Sequence, residues 1–337
     1  CYECSILPFR TVGRTIKVKD LVIAGSAGGI GQSMSMLLKY NELISELALY
    51  DIAKVNPGVA CDLSHVDTPT CVSSYMEEDG LVKAVKNSHV VVIAAGVTGK
   101  PGMSRADLFS TNVNIVVEIT RIVAQHAPNT ILAIITNPVN SLVPVACEIL
   151  KNECVFDERR VFGVTTLDVV RASTFVSEIN GMDPQDINIP VVGGHSGNTI
   201  VPLLSACKPC LLCSAQEIEK LTKRIQEAGT EVVKAKDGGG SATLSMAYAG
   251  ARFVASILKG LSGESNVVEC AYVNSNITPV EYFANPVSLG TNGMEHNLGF
   301  TCSNCYEQYL VGIAINELGN NIRTGQRFVK DILSEKK

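Results

Sequence analysis

The sequence predicts an α/β protein, with a doubly wound parallel sheet in the first half and a mixed α+β catalytic domain after it. Three observations carry this. Short, mostly apolar runs at 21–24, 47–51, 90–95 and 130–136 lack the alternation of half-exposed strands, as strands covered on both faces require. Helical patterns stand between them, and strand, helix, strand with short connections implies parallel pairing. From about residue 184 the alternation gives way to long helical patterns and one β-branched region.

Each element follows from its residues. The run Leu21-Val22-Ile23-Ala24 stops at glycines and reads as the first strand. Residues 29–39 read as the first helix and 47–51 as the second strand. Strands at 90–95 and 130–136 flank an amphipathic helix at about 105–125. Pro184, Pro190 and the Gly193-Gly194 pair break the chain up before helices at about 215–234, 242–259 and 305–332. Residues 266–289 carry the strand-like stretches. The expected organisation is an extension at 1–16, a nucleotide-binding domain at 17–162 and a substrate domain at 163–337. The extension bears Arg10 and Arg14 against the single acid Glu3 and starts at Cys1. It reads either as the remnant of an organelle transit segment or as a disordered extension.

Composition excludes several classes. A chain of 337 residues is long enough for about two cored domains. Charged residues make up 18% with a net charge of −5 and no Lys/Arg stripe, so nucleic acid is not an expected partner. The mean hydropathy is +0.21, yet no apolar run approaches the ~20 residues of a membrane span. The 12 cysteines include the spaced sets Cys1/Cys4, Cys207/Cys210/Cys213 and Cys302/Cys305. Zinc is bound at such spacing. No histidine lies near the last two sets, and Cys213 would be a surplus thiol, so free cysteines and no metal are expected.

Five segments carry chemistry. Gly25-Ser-Ala-Gly28-Gly29-Ile-Gly31 follows the first strand and opens the first helix, the context a Rossmann-type dinucleotide turn requires. Gly25 permits the tight turn, Gly28 the close approach of a pyrophosphate, and Gly31 the packing of helix on strand. Asp51 ends the second strand 20 residues after Gly31, where a carboxylate accepts from ribose hydroxyls and repels a 2′-phosphate. NAD is therefore expected over NADP. Residues 97–105, with Gly99, Lys100, Pro101 and Arg105, read as a loop at the carboxyl edge of the sheet, able to close over a ligand. Thr136-Asn137-Pro138-Val139-Asn140 lies just past a strand, where asparagine either orients a polar ligand or simply forms a turn. Asp168 and Arg171 are three apart on an expected helix and share a face, as an ion pair or as site residues. His195 stands among Gly193, Gly194 and Gly197, with little side-chain cover.

Taken in this order, the five segments resemble the lactate/malate dehydrogenase family, in particular its mitochondrial animal malate-type branch. The resemblance runs from about residue 17 to 331 and is especially close over 224–269. It implies hydride transfer between NAD and a 2-hydroxy acid, malate and oxaloacetate first. It makes His195 the proton donor and acceptor and Asp168 the partner that orients it. Arg171 would grip the C1 carboxylate, and Arg105 would polarise the reacting carbonyl from the closing loop. Asn137 and Asn112 would position substrate and nicotinamide, with Ser241 and Met246 lining the site. It also implies a homodimer and a mitochondrial matrix location, with the cytoplasm as the alternative. The chain departs from the pattern at Gly99, where malate enzymes usually carry an arginine for the second carboxylate; Thr98 and Lys100 flank it. Three accounts follow: Lys100 substitutes, the substrate is another 2-oxo acid (lactate-like or aromatic), or activity is weak; from outside the enzyme class, the alternative is a non-catalytic NAD-binding paralogue.

Overall fold

The computed structural model describes residues 19–97, 104–237 and 239–335. The expected extension at 1–16 and Gly99 lie outside the described residues, as does the side chain of Arg105. The first half comprises β1 (Lys19–Ala24), α1 (Gly29–Lys39), β2 (Ile44–Tyr50), α2 (Asn56–Ser64), β3 (Cys71–Tyr75) and α3 (Glu77–Val85). It continues with β4 (Val90–Ile93), α4 (Arg105–His126), β5 (Ile131–Ile134), α5 (Val139–Asn152) and β6 (Val161–Val164). Beyond it lie α6 (Thr166–Asn180), β7 (Val191–Gly193), β8 (Ile200–Pro202), α7 (Ala215–Ala235) and α8 (Leu244–Leu261). The chain closes with β9 (Val267–Asn274), β10 (Tyr282–Gly290), β11 (Gly293–Asn297) and α9 (Cys305–Ser334).

Strands β3-β2-β1-β4-β5-β6 pair in parallel in that order, the doubly wound arrangement expected. The apolar runs are explained by burial on both faces. Val22, Ala24, Val91 and Ile93 enter one core with α3, α4, α5 and α9, while Leu21, Ile23, Val90 and Val92 enter another with α1 and α8. The sheet does not stop at the division expected after 162. β6 pairs with β5 on one side and antiparallel with β9 on the other, so the β9–β10 hairpin and β7–β8 extend the same sheet.

The first-half elements α2, β3, α3, α5 and β6 and the short strands β7, β8 and β11 have no counterpart in the sequence expectation. α5 carries Pro144 in its interior, which reads as a breaker, yet most of its residues are buried between α4 and α9. β3 is an edge strand of half-buried residues with a Ser-Ser centre, and α2 contains Pro57 and Gly58; neither shows a strong period. Helix α4 starts where expected because Ser104 and Asp107 form a reciprocal capping box, which satisfies two of its leading N–H groups. Among the described residues, no helix is long and apolar enough to cross a membrane.

Candidate active site

The turn after β1 is shaped by contacts that only glycine tolerates. Gly25 has φ +93°, and a Cβ there would lie 2.4 Å from Ala95 N. A Cβ on Gly31 would lie 2.1 Å from Gly25 O. Gly28 is the N-cap of α1 in extended geometry, and a Cβ on it would meet only Gly25 O, at 3.4 Å. No side chain caps α1 and no acid sits in its first turn, so its leading N–H groups and positive dipole end face an anion site. Asp51 accepts from Ala27 N–H through Oδ2 and from Ala53 N–H through Oδ1, each at 2.9 Å. That pins its carboxylate to the turn and leaves lone pairs for further donors such as ribose hydroxyls. The turn, its open helix end and its adjacent acid thus fit a dinucleotide with unmodified ribose. Gly31→Ala should cost at least about 1–3 kcal/mol through overpacking against backbone, whereas Gly28→Ala should leave folding nearly unchanged. Denaturant unfolding of the two variants checks the contrast.

Asp168 and Arg171 lie one turn apart near the start of α6, and His195 lies in the loop between β7 and β8. The fold brings all three together. His195 Nδ1 is 2.6 Å from Asp168 Oδ2, and Asp168 has 0% of its side chain exposed. A carboxylate only accepts, so Nδ1 carries the proton and the Nε2 lone pair is left for a ligand. Arg171 Nη1 is 3.8 Å from Asp168 Oδ1, with 12% of its side chain exposed. Burial draws the Arg171 guanidinium below its usual range, opposed by the charges of Asp168 and Glu231. Gly229 of α7 faces it; a Cβ there would be 3.9 Å from Nη1.

A cavity of about 510 Å³ joins these groups to the glycine turn's helix. Asp168, Arg171 and His195 line it with Asn112, Asn137 and Met246, and Ser241 and Ile30 contribute as well. It opens beyond the carboxyl ends of β4 and β5, at the crevice where open α/β sheets bind ligands. The buried Asn112 spends its amide on backbone. Oδ1 accepts from Val97 N–H at 2.8 Å, and Nδ2 donates to Val97 O at 3.0 Å and Asn137 O at 2.8 Å. It ties the loop after β4 to the loop after β5. Asn140, which sequence reasoning placed only in a turn, accepts from His195 N–H at 2.8 Å and donates to Ser196 Oγ at 2.9 Å. Asn321 of α9, 3.4 Å from Asn140 Nδ2, gives no local signal because 181 residues separate the pair.

Among the described residues every cysteine is free, and no three His, Cys, Asp or Glu side chains gather as metal ligands. Burial pushes Cys147 and Cys270 up to about 12. Thiols held above their usual range stay protonated at pH 8 and are poor nucleophiles. Ellman's reagent should therefore modify the exposed Cys61, Cys154, Cys210 and Cys305 in the native protein. Cys147 and Cys270 should react only after unfolding, as peptide mapping will report.

Residues 19–163 match the lactate/malate dehydrogenase NAD binding domain, and residues 165–329 match the lactate/malate dehydrogenase alpha/beta C-terminal domain. The chain belongs to the lactate/malate dehydrogenase family. It is an NAD-dependent 2-hydroxy acid oxidoreductase. Mitochondrial malate dehydrogenase of Homo sapiens is 50% identical over 312 residues, covering 93% of this chain and 92% of that protein. That of Caenorhabditis elegans is 52% identical over 321 residues, covering 95% and 94%. Among solved structures, Cryptosporidium parvum malate dehydrogenase aligns with a TM-score of 0.80 at 27% identity, covering 92% of this chain and 99% of that one. The lactate dehydrogenase of the same organism, complexed with lactic acid and nicotinamide adenine dinucleotide, aligns with a TM-score of 0.79 at 25% identity, covering 91% and 98%.

Proposed function

We propose that this member of the lactate/malate dehydrogenase family interconverts malate and oxaloacetate, with its preference for the dicarboxylate weakened at Gly99. The observation that carries the reading is the buried Asp168–His195 pair, 2.6 Å apart, sharing one cavity with Arg171. His195 Nε2 takes the proton of the C2 hydroxyl during oxidation and returns it during reduction. Asp168 holds the ring in the tautomer this needs and stabilises imidazolium when it forms. Arg171 holds the C1 carboxylate; its poor hydration in the cavity strengthens a bidentate grip. Arg105 polarises the C2 oxygen, Asn137 orients substrate, and Asn112 supports Asn137 through its backbone. Gly25, Gly28, Gly31 and Asp51 would hold the diphosphate and ribose of NAD, and Met246, which lines the cavity, would contribute to the nicotinamide's surroundings. The bound nicotinamide supplies the hydride acceptor for oxidation and the donor for reduction.

A division into a nucleotide-binding part at 17–162 and a substrate part at 163–337 suits these roles, since the turn lies in the first and His195 in the second. The malate dehydrogenases similar to this chain carry mitochondrial names, which supports a mitochondrial location. A homodimer is supported by the exposed Leu37 of α1, Tyr40 just after it, Val55 just before α2 and Tyr248 of α8, with α1 packed on both α2 and α8.

Charge sets the substrate question. Among the described residues lining the cavity, Arg171 is the cation, against Asp168 and Glu227. A second substrate carboxylate needs a further cation, and Gly99 provides none. NADH oxidation should be compared with oxaloacetate, pyruvate and phenylpyruvate, beside a malate dehydrogenase with the loop arginine. We expect oxaloacetate turnover at least about tenfold below that enzyme, in keeping with a lost charge partner. Turnover equal to it removes the weakened preference. NADH binding without turnover of any 2-oxo acid removes the catalytic reading and favours a non-catalytic paralogue.

A further inference from the structure

Asn140 sits in the first turn of α5, 1% exposed, and none of its side-chain bonds serves the helix it belongs to. Its Oδ1 accepts from His195 N–H at 2.8 Å. Its Nδ2 faces Ser196 Oγ at 2.9 Å, Thr199 Oγ1 at 3.2 Å and Asn321 Oδ1 at 3.4 Å. Its backbone carbonyl accepts from the buried Tyr272 hydroxyl at 3.2 Å, which fixes the residue to β9. One amide therefore joins α5, the His195 loop and α9.

The loop's other backbone hydrogen bonds are internal to its hairpin: Gly194 N–H donates to Thr199 O at 2.8 Å, and Ser196 N–H donates to Thr199 Oγ1 at 3.1 Å. Gly193 has φ +101°, and a Cβ there would lie 2.1 Å from Thr199 O. A Cβ on Gly194 would lie 2.6 Å from Asn140 Oδ1 itself. The glycines that give His195 its freedom also bring its backbone against Asn140. Among the described residues, the ring is hydrogen-bonded to one side chain, Asp168, through Oδ2. A side chain fixed at one ring atom is oriented only if its backbone is fixed too, and a misplacement of about 1 Å at a reacting group can cost ~10²-fold in rate.

We propose that Asn140 is a positioning residue for His195: by fixing the His195 backbone to α5 and α9, it sets the imidazole on Asp168 with Nε2 directed into the cavity. The proposal rests on the reading of His195 as the proton-handling group. It assigns Asn140 no contact with substrate or cofactor. Asn140 is thus distinct from Asn137, three residues earlier, which lines the cavity.

Three variants test it in the full chain: Asn140→Leu, Asn140→Asp and His195→Gln. Asn140→Leu keeps the volume and removes every polar contact. Asn140→Asp keeps an oxygen for the His195 N–H, and the Ser196 and Thr199 hydroxyls can rotate to donate to its second oxygen. NADH fluorescence titration counts binding-competent sites, so turnover is expressed per folded site. We expect Asn140→Leu to lose about 10–100-fold in kcat with KM for the 2-oxo acid and Kd for NADH within threefold of wild type. Asn140→Asp should recover most of that loss. Nitrogen-labelled histidine spectra should show the Nδ1–H signal of His195 in wild type and Asn140→Asp, and its loss or exchange broadening in Asn140→Leu.

An Asn140→Leu protein with wild-type kcat per site and an intact Nδ1–H signal overturns the proposal and leaves the role of His195 standing. So does an Asn140→Asp protein, folded and binding NADH, that is no better than Asn140→Leu. If Asn140→Leu does not fold, Asn140→Asp against wild type decides by the same signal and the same kcat. Retention of turnover by His195→Gln overturns the reading of His195, and this proposal with it.

Discussion

Replacing Gly99 by arginine should raise kcat/KM for oxaloacetate by about 10²–10³ and leave pyruvate unimproved. The warrant is electrostatic. A carboxylate taken out of water without its partner charge costs about 3–5 kcal/mol, which is two to three and a half decades in rate. Arg171 already balances the C1 carboxylate, and the described lining of the cavity adds the acids Asp168 and Glu227 and no second cation. The second carboxylate of oxaloacetate is then the uncompensated group, while pyruvate has none. Lys100→Ala belongs in the same series. A large loss of oxaloacetate turnover in that variant, with little gain in Gly99→Arg, would mean that Lys100 already stands in for the arginine. A change below threefold in both variants would remove this loop from the specificity account.

The second large effect is expected at Asp168. Its side chain has no exposure, and its Oδ2 takes the proton-bearing Nδ1 of His195. Asn in its place keeps the shape and presents an amide, which favours the tautomer with the proton on Nε2. That tautomer cannot accept the C2 hydroxyl proton. The variant also removes the buried negative charge 3.8 Å from Arg171, so the guanidinium loses the interaction that opposes its desolvation. Asp168→Asn should therefore lower kcat by about 10²–10⁴, the range of general acid–base catalysis, and raise KM for the 2-oxo acid. The Kd for NADH should hold, because the glycine turn and Asp51 are untouched. Steady-state kinetics with NADH fluorescence titration separates the three quantities.

Local chemistry explains how much of this was legible. The apolar runs of β1, β2, β4 and β5 announce strands because each is buried on both faces. The turn from Gly25 to Gly31 is legible because the glycine spacing is itself local: a Cβ on Gly31 would meet Gly25 O and Ser26, and one on Gly28 would meet Gly25 O. His195, Asp168 and Arg171 were nameable through the family resemblance. Their meeting rests on a 27-residue separation that no local pattern encodes. Asn140 was visible only as part of a turn, since its partners come from the His195 loop and from α9. Helix α5 was hidden by Pro144, and the continuous sheet was hidden because the β6–β9 pairing joins segments more than a hundred residues apart. Asn112 lines the cavity as expected of a site residue, and its bonds to the backbone of two loops could not be read locally.

The central claim is that His195 and Asp168 handle the substrate proton as one unit. Its most direct test is the kcat of His195→Gln, Asp168→Asn and the double variant with the best 2-oxo acid, per NADH-binding site. The account predicts a loss of about 10³ for His195→Gln and a double variant no more than about threefold worse, because Asp168 acts through the ring. Losses that multiply in the double variant, or a His195→Gln enzyme within tenfold of wild type, would contradict it.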